Sequence, residues 1–246
     1  YKREVGLRQD EGNNADIIIC SSSAMPPLIQ MGVFRELQMT PEKRNRYVQG
    51  IPWENVMDDG KYYGLPFFYD PYLLFYNKKS IEENQVDPPS TWEEIIQAGA
   101  RIQTLGTYGF GFAAKNSEET AQFFSMMLYS RGGSIYSLDR AQGIQCFQDI
   151  QDMVQMNILP ANLINTSQED LARRFAEGEV HMMVNQLSCL TVLKSSGTSM
   201  EIGMTRVPGE ITDMIYLTGQ NIGLTVNARE EAEDFLDYLF EPEVYE

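Results

Sequence analysis

Positive charge is scarce in this sequence, and its scarcity excludes two classes of partner. The 246 residues include 19 Lys and Arg against 35 Asp and Glu, which gives a formal net charge of −16. An acidic surface repels phosphate backbones and anionic lipid headgroups. The composition therefore argues against nucleic-acid binding and against a role on a charged membrane surface.

The residues that most often bind metals or act as nucleophiles are also rare. There is one histidine, and the three cysteines, Cys20, Cys146 and Cys189, form neither a Cys-x-x-Cys pair nor a zinc pattern. We interpret them as buried thiols, and their odd number argues against a strongly oxidising compartment. His181 has no neighbouring partner of the kind that catalysis or metal binding requires. We predict a structural role for it, and no metal or cofactor.

Long apolar runs and enzyme signatures are missing as well. No run approaches the roughly 20 residues of a membrane span. The glycines within residues 108–113 do not form a Gly-x-Gly-x-x-Gly pattern that opens a helix, and there is no phosphate loop or Gly-x-Ser-x-Gly motif. The first residues lack the apolar segment of a signal peptide, so we expect any such segment to lie upstream. Nothing here indicates an enzyme.

What the sequence does contain is an alternation of strand-like and helix-like segments. This alternation predicts an α/β fold with a mainly parallel sheet. The run Asp-Ile-Ile-Ile-Cys at residues 16–20 has no polar face, which predicts a strand in the interior of a parallel or mixed sheet. A polar loop, Ser21 to Ser23, follows it at the kind of position where open α/β sheets bind ligands.

Helix signals are clear at several points. Ser90 or Thr91 can cap a helix whose first turn carries acidic residues, and Ser167 begins another with a spacing close to that of a capping box. A helix over residues 141–156 carries an apolar stripe that we expect to face the core. The stripe consists of Ile144, Phe147, Ile150 and Val154.

Aromatic and polar residues are concentrated in residues 62–72, where five tyrosines or phenylalanines surround Tyr69-Asp70. Several of them must belong to the core. A tyrosine-rich segment with one carboxylate nevertheless suits a neutral polyhydroxylated ligand, because aromatic rings cover the C–H faces of a sugar and a carboxylate accepts hydroxyl hydrogen bonds. The alternative for Asp70 is a turn aspartate that caps its own backbone.

Four segments in the same order and spacing resemble the sugar-binding group of the extracellular solute-binding proteins of ABC transporters, the group that includes maltose-binding protein. They are Asn-Ala-Asp-Ile-Ile-Ile at 14–19, Asp-Gly-Lys-Tyr-Tyr-Gly-Leu-Pro at 59–66 with Leu-Phe-Tyr-Asn-Lys at 74–78, Pro-Pro-Ser-Thr-Trp-Glu-Glu at 88–94, and Phe-Ala-Glu-Gly-Glu-Val-His-Met-Met-Val-Asn at 175–185. The resemblance covers nearly the whole chain. Relatives have further segments before and after it, so we expect a fragment that lacks both flanks.

The resemblance implies a two-lobed fold of the type II periplasmic binding proteins, with a ligand cleft between the lobes and hinge closure. Mapped on this chain, it places lobe one at 1–107 and 208–246, incomplete, and lobe two at 108–207. It implies an extracytoplasmic protein, periplasmic or lipid-anchored. Its partners would be a carbohydrate and the transmembrane permease subunits, and it would act as a monomer.

The resemblance also implies a set of ligand-binding residues, which lie in loops and helix starts near the expected cleft. They are Ser22, Ser23, Tyr69, Asp70, Tyr72, Glu119, Gln122, Asn185, Gln186, Tyr216, Gly219 and Gln220. Relatives often continue past the position of Asn185 with Gly-Pro-Trp, whereas this chain has Gln-Leu-Ser at 186–188. Tyr69, Tyr72 or Tyr216 would then have to supply the stacking surface.

The predicted function is therefore the capture of a mono- or oligosaccharide for import by an ABC transporter, without catalysis. Two alternatives stay open at this stage. A receptor of the same fold could bind a non-sugar solute or serve a sensor kinase, and the missing Trp favours that alternative. An α/β enzyme such as a transferase is the second, and turnover of the ligand would distinguish it.

Overall fold

The computed structural model describes residues 2–46, 52–211 and 215–245. Its helices are α1 Lys2–Asp10, α2 Met25–Gln30, α3 Pro41–Asn45, α4 Lys78–Glu83, α5 Trp92–Ile102, α6 Glu118–Tyr129, α7 Ala141–Gln155, α8 Gln168–Ala176, α9 Leu190–Ser195, α10 Glu231–Leu239 and α11 Pro242–Tyr245. Its strands are β1 Ile17–Ser21, β2 Met57–Asp58, β3 Lys61–Tyr62, β4 Leu65–Asn77, β5 Met182–Gln186, β6 Ile202–Arg206 and β7 Leu217–Leu224. The mixture of helix and sheet agrees with the predicted α/β class.

The chain divides into two compact units. Unit 1 comprises Tyr1–Tyr69 and Thr218–Glu246, and unit 2 comprises Asp70–Leu217. The lobe boundaries expected from the resemblance, near residues 107 and 208, do not coincide with these borders. Helix α5 accounts for the difference, because its buried face belongs to the same core as Phe123 and Met126 of α6. The division into lobes stays a prediction, and the two units are described separately below.

In unit 1, β1 pairs with β7 in antiparallel register, with Cys20 opposite Asn221 and Ser21 opposite Gln220. Among the described strands, β1 lies at the end of the sheet order, and Ile19 is 42% exposed. The prediction that this strand lies inside a parallel or mixed sheet is therefore wrong. An apolar run indicates how deeply a strand is buried, but it carries no information on which strand will pair with it or in which direction.

In unit 2, the second half of β4 lies between β5 and β6, and both ladders are antiparallel. Residues 108–113 form only isolated parallel bridges, Tyr108 to Val180 and Gly111 to Met183. The ladders β1–β7, β2–β3, β4–β5 and β4–β6 are all antiparallel, whereas the sequence predicted a mainly parallel sheet. A Cβ atom on Gly109 would lie 2.2 Å from the carbonyl oxygen of Gly99, so this glycine permits close packing against α5.

The core of unit 2 is built around aromatic rings. Trp92 of α5 is fully buried, and its Nε1 donates to Ser130 Oγ at 2.8 Å. Its ring makes edge contacts with Phe110 and Phe123, at 6.5 and 5.8 Å between centroids. Such edge-to-face pairs are each worth about 0.5–1.5 kcal/mol beyond the apolar area that they bury. The rings therefore fix α5 and α6 against the sheet of this unit.

Unit 1 has two smaller apolar clusters, one on each face of its sheet. Met25 and Leu28 of α2 pack with Phe34 in the first. Ile222 of β7 and Leu236 of α10 pack together in the second. The strands β1 and β7 are thus covered by helices on both faces, which explains why β1 is apolar at consecutive positions.

Two helix predictions have different outcomes. Thr91 caps α5 and forms a capping box with Glu94, as the sequence indicated. In α7, however, the buried residues include Cys146 and Met153, whereas Phe147 and Val154 of the predicted core stripe are more than half exposed. The stripe fails because α7 presents the neighbouring face to α6 and α5, and helical periodicity alone does not say which face meets a partner.

The three cysteines are buried and unbridged, as predicted. Within the described ranges, no helix is both long and apolar enough to cross a membrane. In the same residues, no group of three or more His, Cys, Asp or Glu side chains is arranged to hold a metal ion.

Candidate functional site

A polar pocket of about 400 Å³ opens on unit 2 where α6 and α8 begin and β5 ends. Amide, hydroxyl and carboxylate side chains dominate its wall. The lining residues are Lys115, Ser117, Glu118, Glu119, Gln122, Ser167, Gln168 and Gln186. A smaller pocket of about 190 Å³ shares Glu119 and Gln168 with it. Three of the predicted site residues, Glu119, Gln122 and Gln186, therefore line one cavity.

The two helix starts at this pocket are held together by hydrogen bonds. Ser167 caps α8, accepting a hydrogen bond from the backbone N–H of Asp170 at 3.2 Å. The backbone N–H of Gln168, the first residue of α8, donates to Glu119 Oε2 of α6 at 3.3 Å. A carboxylate is favoured beside a helix N-terminus because the backbone N–H groups there are partly positive. Glu119 is thus positioned by the helix it faces.

Tyr72 connects the pocket wall to β4. Its hydroxyl donates to Gln122 Oε1 at 2.9 Å and accepts from Gln168 Nε2. Burial is the main cause that raises the pKa of Tyr72, with Tyr216 and Glu119 adding to it, so the hydroxyl stays protonated and can donate. Because the Tyr72 hydroxyl is bonded to the side-chain amides of Gln122 and Gln168, the remaining donor and acceptor groups of these amides have fixed directions.

Asn185 has a supporting position. It is buried, its Nδ2 donates to the carbonyl oxygen of Gln168 at 2.9 Å, and its Oδ1 accepts from the backbone N–H of Gln186 at 2.8 Å. Both ends of its carboxamide are therefore occupied by backbone groups of pocket residues. The structure gives Asn185 the role of fixing the start of α8 relative to the end of β5.

Asp70 differs from the expectation of an exposed carboxylate. It is 6% exposed, and its Oδ1 accepts from the backbone N–H of Ser188 at 3.0 Å, so it holds the short 3₁₀ helix Leu187–Cys189 that follows β5. The turn-capping alternative also does not describe it, because its partner is 118 residues away and β4 continues through this position.

The aromatic candidates offer little free ring surface. Tyr72 is 3% exposed, and its ring meets Tyr216 edge-on at 5.7 Å. In unit 1, the hydroxyl of Tyr69 donates to the carbonyl oxygen of Pro52 at 2.8 Å, and burial followed by the charge of Glu54 raises the pKa of Tyr69 to about 12. The pocket of unit 2 is therefore a hydrogen-bonding site rather than a stacking site.

The remaining predicted residues lie together in unit 1, at the end of β1 and the start of β7. The backbone N–H of Ser22 donates to the carbonyl oxygen of Gly219 at 3.0 Å, and Gln220 pairs with Ser21. Ser23 Oγ lies 3.1 Å from Ser21 Oγ. A Cβ on Gly219 would lie 2.2 Å from the carbonyl oxygen of Phe68, which explains why glycine is needed there.

Sequence reasoning missed Gln168, which touches Tyr72, Glu119 and Asn185. The available signal was its place directly after the capping Ser167, since the first residue of a capped helix points its N–H out of the helix. Ser117 and Lys115, in the segment before α6, were missed as well.

Comparisons with known proteins point to one family. A family profile described as bacterial extracellular solute-binding protein matches residues 4–246. A putative binding protein of Brucella abortus (strain 2308) is 25% identical over 244 residues, which are 94% of this chain and 59% of the relative. The multiple sugar-binding protein of Streptococcus mutans is 24% identical over 198 residues, 73% of this chain and 47% of that protein. The chain thus spans about three fifths or less of these relatives.

Solved structures agree on the fold. A solute-binding protein of an ABC transporter from Thermotoga lettingae, bound with alpha-D-tagatose, has a TM-score of 0.83 at 22% identity, covering 100% of this chain and 67% of that one. One from Agrobacterium radiobacter K84, in complex with ribitol, has a TM-score of 0.87 at 15% identity, covering 99% and 67%. They confirm the predicted two-lobed, type II periplasmic-binding-protein-like fold.

Proposed function

The chain belongs to the bacterial extracellular solute-binding proteins, and from that premise we propose that it forms the ligand-binding part of an ABC-transporter receptor for a sugar or polyol. The related structures contain tagatose, ribitol and mannitol, and curated relatives include sugar-binding proteins. A hydroxyl-rich, neutral ligand is also what the pocket of unit 2 suits best. The proposal extends the predicted function to linear polyols as well as sugars.

The observation that carries this proposal is the set of oriented amides around Tyr72. A carboxamide both donates and accepts, and so does a hydroxyl group, so a row of amides matches the hydroxyls of a polyol in either direction. Gln122 and Gln168 are held by the Tyr72 hydroxyl, and Glu119 adds an acceptor. A ligand that lacks a hydroxyl at one of these positions leaves a buried polar group without a partner, which is the basis of selectivity.

A second candidate ligand is an α-amino acid. Lys115 lines the same pocket as Glu118 and Glu119, so both signs of charge are present for a zwitterion. A probable amino-acid ABC transporter periplasmic-binding protein of Sinorhizobium fredii is 29% identical over 134 residues of this chain. This candidate predicts binding that weakens strongly with added salt, whereas polyol binding depends little on it.

Partners and location follow from the same proposal. The receptor delivers its ligand to permease subunits from an extracytoplasmic position, free in the periplasm or held at the cell surface by a lipid, and acts as a monomer. It releases the ligand chemically unchanged. Ser22, Ser23, Tyr69, Gly219 and Gln220 stay proposed ligand contacts of unit 1, and Asp70, Asn185 and Tyr216 become residues that shape the pocket of unit 2.

The test is calorimetric titration of the protein with D-mannitol, ribitol, D-tagatose, maltose and L-glutamine at two salt concentrations. The variant Glu119→Gln is expected to bind the preferred compound at least tenfold more weakly, because a hydrogen bond to a charged acceptor is worth roughly 1.5–3 kcal/mol. Gln122→Leu is expected to weaken it similarly. Glu177→Gln, an exposed carboxylate of the same unit, is the matched control and should bind as the parent does.

Several results would contradict the proposal. If Glu119→Gln and Glu177→Gln bind equally well, the pocket of unit 2 is not the site. If only L-glutamine binds and salt abolishes its binding, the amino-acid candidate replaces the polyol. If chromatography after incubation shows a modified ligand, the protein is an enzyme. If no compound of the panel raises the melting temperature, the ligand class is wrong.

A further inference from the structure

Three buried polar atoms of unit 1 lack a hydrogen-bond partner among the described residues. They are Ser22 Oγ and both side-chain atoms, Oδ1 and Nδ2, of Asn221. Asn221 is fully buried in the middle of β7. Buried carboxamides and hydroxyls in folded proteins are nearly always bonded to protein or to ordered water, because removing them from water without a partner is unfavourable.

The ladder places the two side chains on the same face of the sheet. Cys20 lies opposite Asn221, and the hydrogen bond from Ser22 N–H to the carbonyl oxygen of Gly219, 3.0 Å, continues the pairing by two residues. Side chains of alternate residues share a face, so Ser22 and Asn221 are diagonal neighbours across the ladder. The Cα atoms of diagonal neighbours lie roughly 7–8 Å apart, and their side chains reach part of the way. One water molecule with two hydrogen bonds of about 2.8 Å can therefore bridge their polar atoms.

The described groups packed on this face are mainly apolar. Cys20 Sγ is 3.9 Å from Met25 Sδ. A Cβ on Gly223, the next residue of β7 on the same face, would meet side-chain carbons of Phe34 and Met25 at 2.7 and 2.8 Å and the carbonyl oxygen of Tyr63 at 2.8 Å. That carbonyl forms no hydrogen bond with the buried carboxamide. The surroundings are therefore sulfur, hydrocarbon and one carbonyl oxygen, and the occupant must be small, neutral and able to both donate and accept.

We propose that Asn221 and Ser22 form an internal hydration site that holds a water molecule and thereby fixes the serine turn, residues 21–23, onto β7. A buried water typically makes about three hydrogen bonds, so one molecule can bond both Ser22 Oγ and one polar atom of the Asn221 carboxamide. Within the turn, Ala24 N–H donates to the Ser21 carbonyl at 2.8 Å, and the hydroxyls of Ser21 and Ser23 contact each other. Asn221 is thus a positioning residue for the turn. The inference needs no ligand, and it assigns the buried hydroxyl of Ser22, a residue that the proposed function counts among the ligand contacts of unit 1, to the water instead.

The first test counts long-lived internal water in the protein by ¹⁷O magnetic relaxation dispersion and locates it by a high-resolution crystal structure. The parent is expected to show electron density for a water bonded to Asn221 and Ser22. Asn221→Leu, which keeps the approximate shape of the side chain without its polar atoms, is expected to hold one long-lived water fewer. Asn227→Leu, an exposed asparagine just after β7, is the matched control and should keep the parent count.

The second test is amide hydrogen exchange at Ser22, whose N–H bonds to Gly219. Loss of the water should accelerate exchange there about tenfold in Asn221→Leu and leave it unchanged in Asn227→Leu. A dry site in the parent crystal structure, or a backbone group bonded to the Asn221 carboxamide, would overturn the proposal. Equal exchange rates of the Ser22 amide in both variants would overturn the positioning role of Asn221. If Asn221→Leu does not fold, the parent's water count decides alone.

Discussion

The two units hold their polar residues in different ways. In unit 2 the side chains around the pocket bond to each other directly, from Gln122 through Tyr72 to Gln168. In unit 1, Ser22 and Asn221 have buried polar atoms that no described protein group satisfies. A directly bonded network is pre-organised before ligand arrives, whereas a site completed by water adapts at low cost.

The two cores also differ in how deeply they bury their aromatic and charged side chains. Unit 2 places a fully buried Trp92 among phenylalanine rings, whereas Trp53 of unit 1 is only partly buried and meets Tyr62 edge-on at 5.6 Å. Unit 2 also buries an ion pair between Arg131 and Asp149, whereas unit 1 pairs Glu4 with Arg8 in solvent. Each contrast can be tested with matched variants.

The largest effect is expected for the two tryptophans. Trp92→Ala should lower the free energy of unfolding by about 3–5 kcal/mol, since it leaves a large cavity and a serine without its donor. Trp53→Ala should cost less, about 1–2 kcal/mol, because its ring is only partly buried. Because the sequence has two tryptophans, each variant retains one fluorophore, in the opposite unit, for urea unfolding. Equal losses of unfolding free energy in Trp92→Ala and Trp53→Ala would contradict the contrast between the two cores.

A similar loss is expected when the buried ion pair is broken. Asp149→Ala leaves the Arg131 guanidinium with the more exposed Glu210, 3.5 Å from its Nε, as its carboxylate partner. Because the side chains of Arg131 and Asp149 are only 6% exposed, unfolding should become easier by about 3 kcal/mol. Glu4→Ala removes a solvent-exposed partner of Arg8 and should cost at most about 1 kcal/mol. Urea unfolding of both variants in low and high salt measures this. A cost below 1 kcal/mol for Asp149→Ala would contradict the buried assignment.

Helix caps provide a smaller test. Thr91→Ala removes the side-chain acceptor of the Glu94 N–H in α5 and should lower stability by about 1 kcal/mol. Thr40→Ala removes the matching acceptor for Lys43 in α3, a five-residue helix with no buried residue, and should have less effect. The melting temperatures of the two variants compare them. The order of the two effects, rather than their size, is the decisive observation.

The smallest effect expected is a pH dependence of stability that arises from His181 in unit 2. Burial lowers the pKa of His181, whose ring nitrogens lie 2.8 Å from Ser80 Oγ and 3.0 Å from Thr107 Oγ1. A lowered pKa in the folded state means that the unfolded chain binds the proton more readily, so stability is present above about pH 6.5 and declines as pH falls. His181→Gln should flatten the melting temperature between pH 7 and pH 5. If the melting temperature of His181→Gln falls with pH as steeply as that of the parent, carboxylates rather than His181 cause the pH dependence.

The sequence predicted those features that depend on neighbouring residues. Thr91 and Ser167 cap their helices as the sequence indicated, because a cap is decided by a hydroxyl and the three residues after it. The α/β class and the family likewise follow from local patterns and motif spacing. The cluster of Glu119, Gln122 and Gln186 in one pocket came from the resemblance, not from the residues themselves.

Tertiary structure decided what local patterns leave open. Strand direction was one such feature: β1 is as apolar as an inner parallel strand, yet β7 pairs with it antiparallel. The packed face of α7 was another, and so was the burial of Asp70 by the backbone of Ser188. In each case the partner lies far along the chain, so its identity depends on which surfaces meet after folding. By itself, the sequence determined the helix caps, the α/β class and the family; only packing determined which faces, directions and hydrogen-bond partners the elements have.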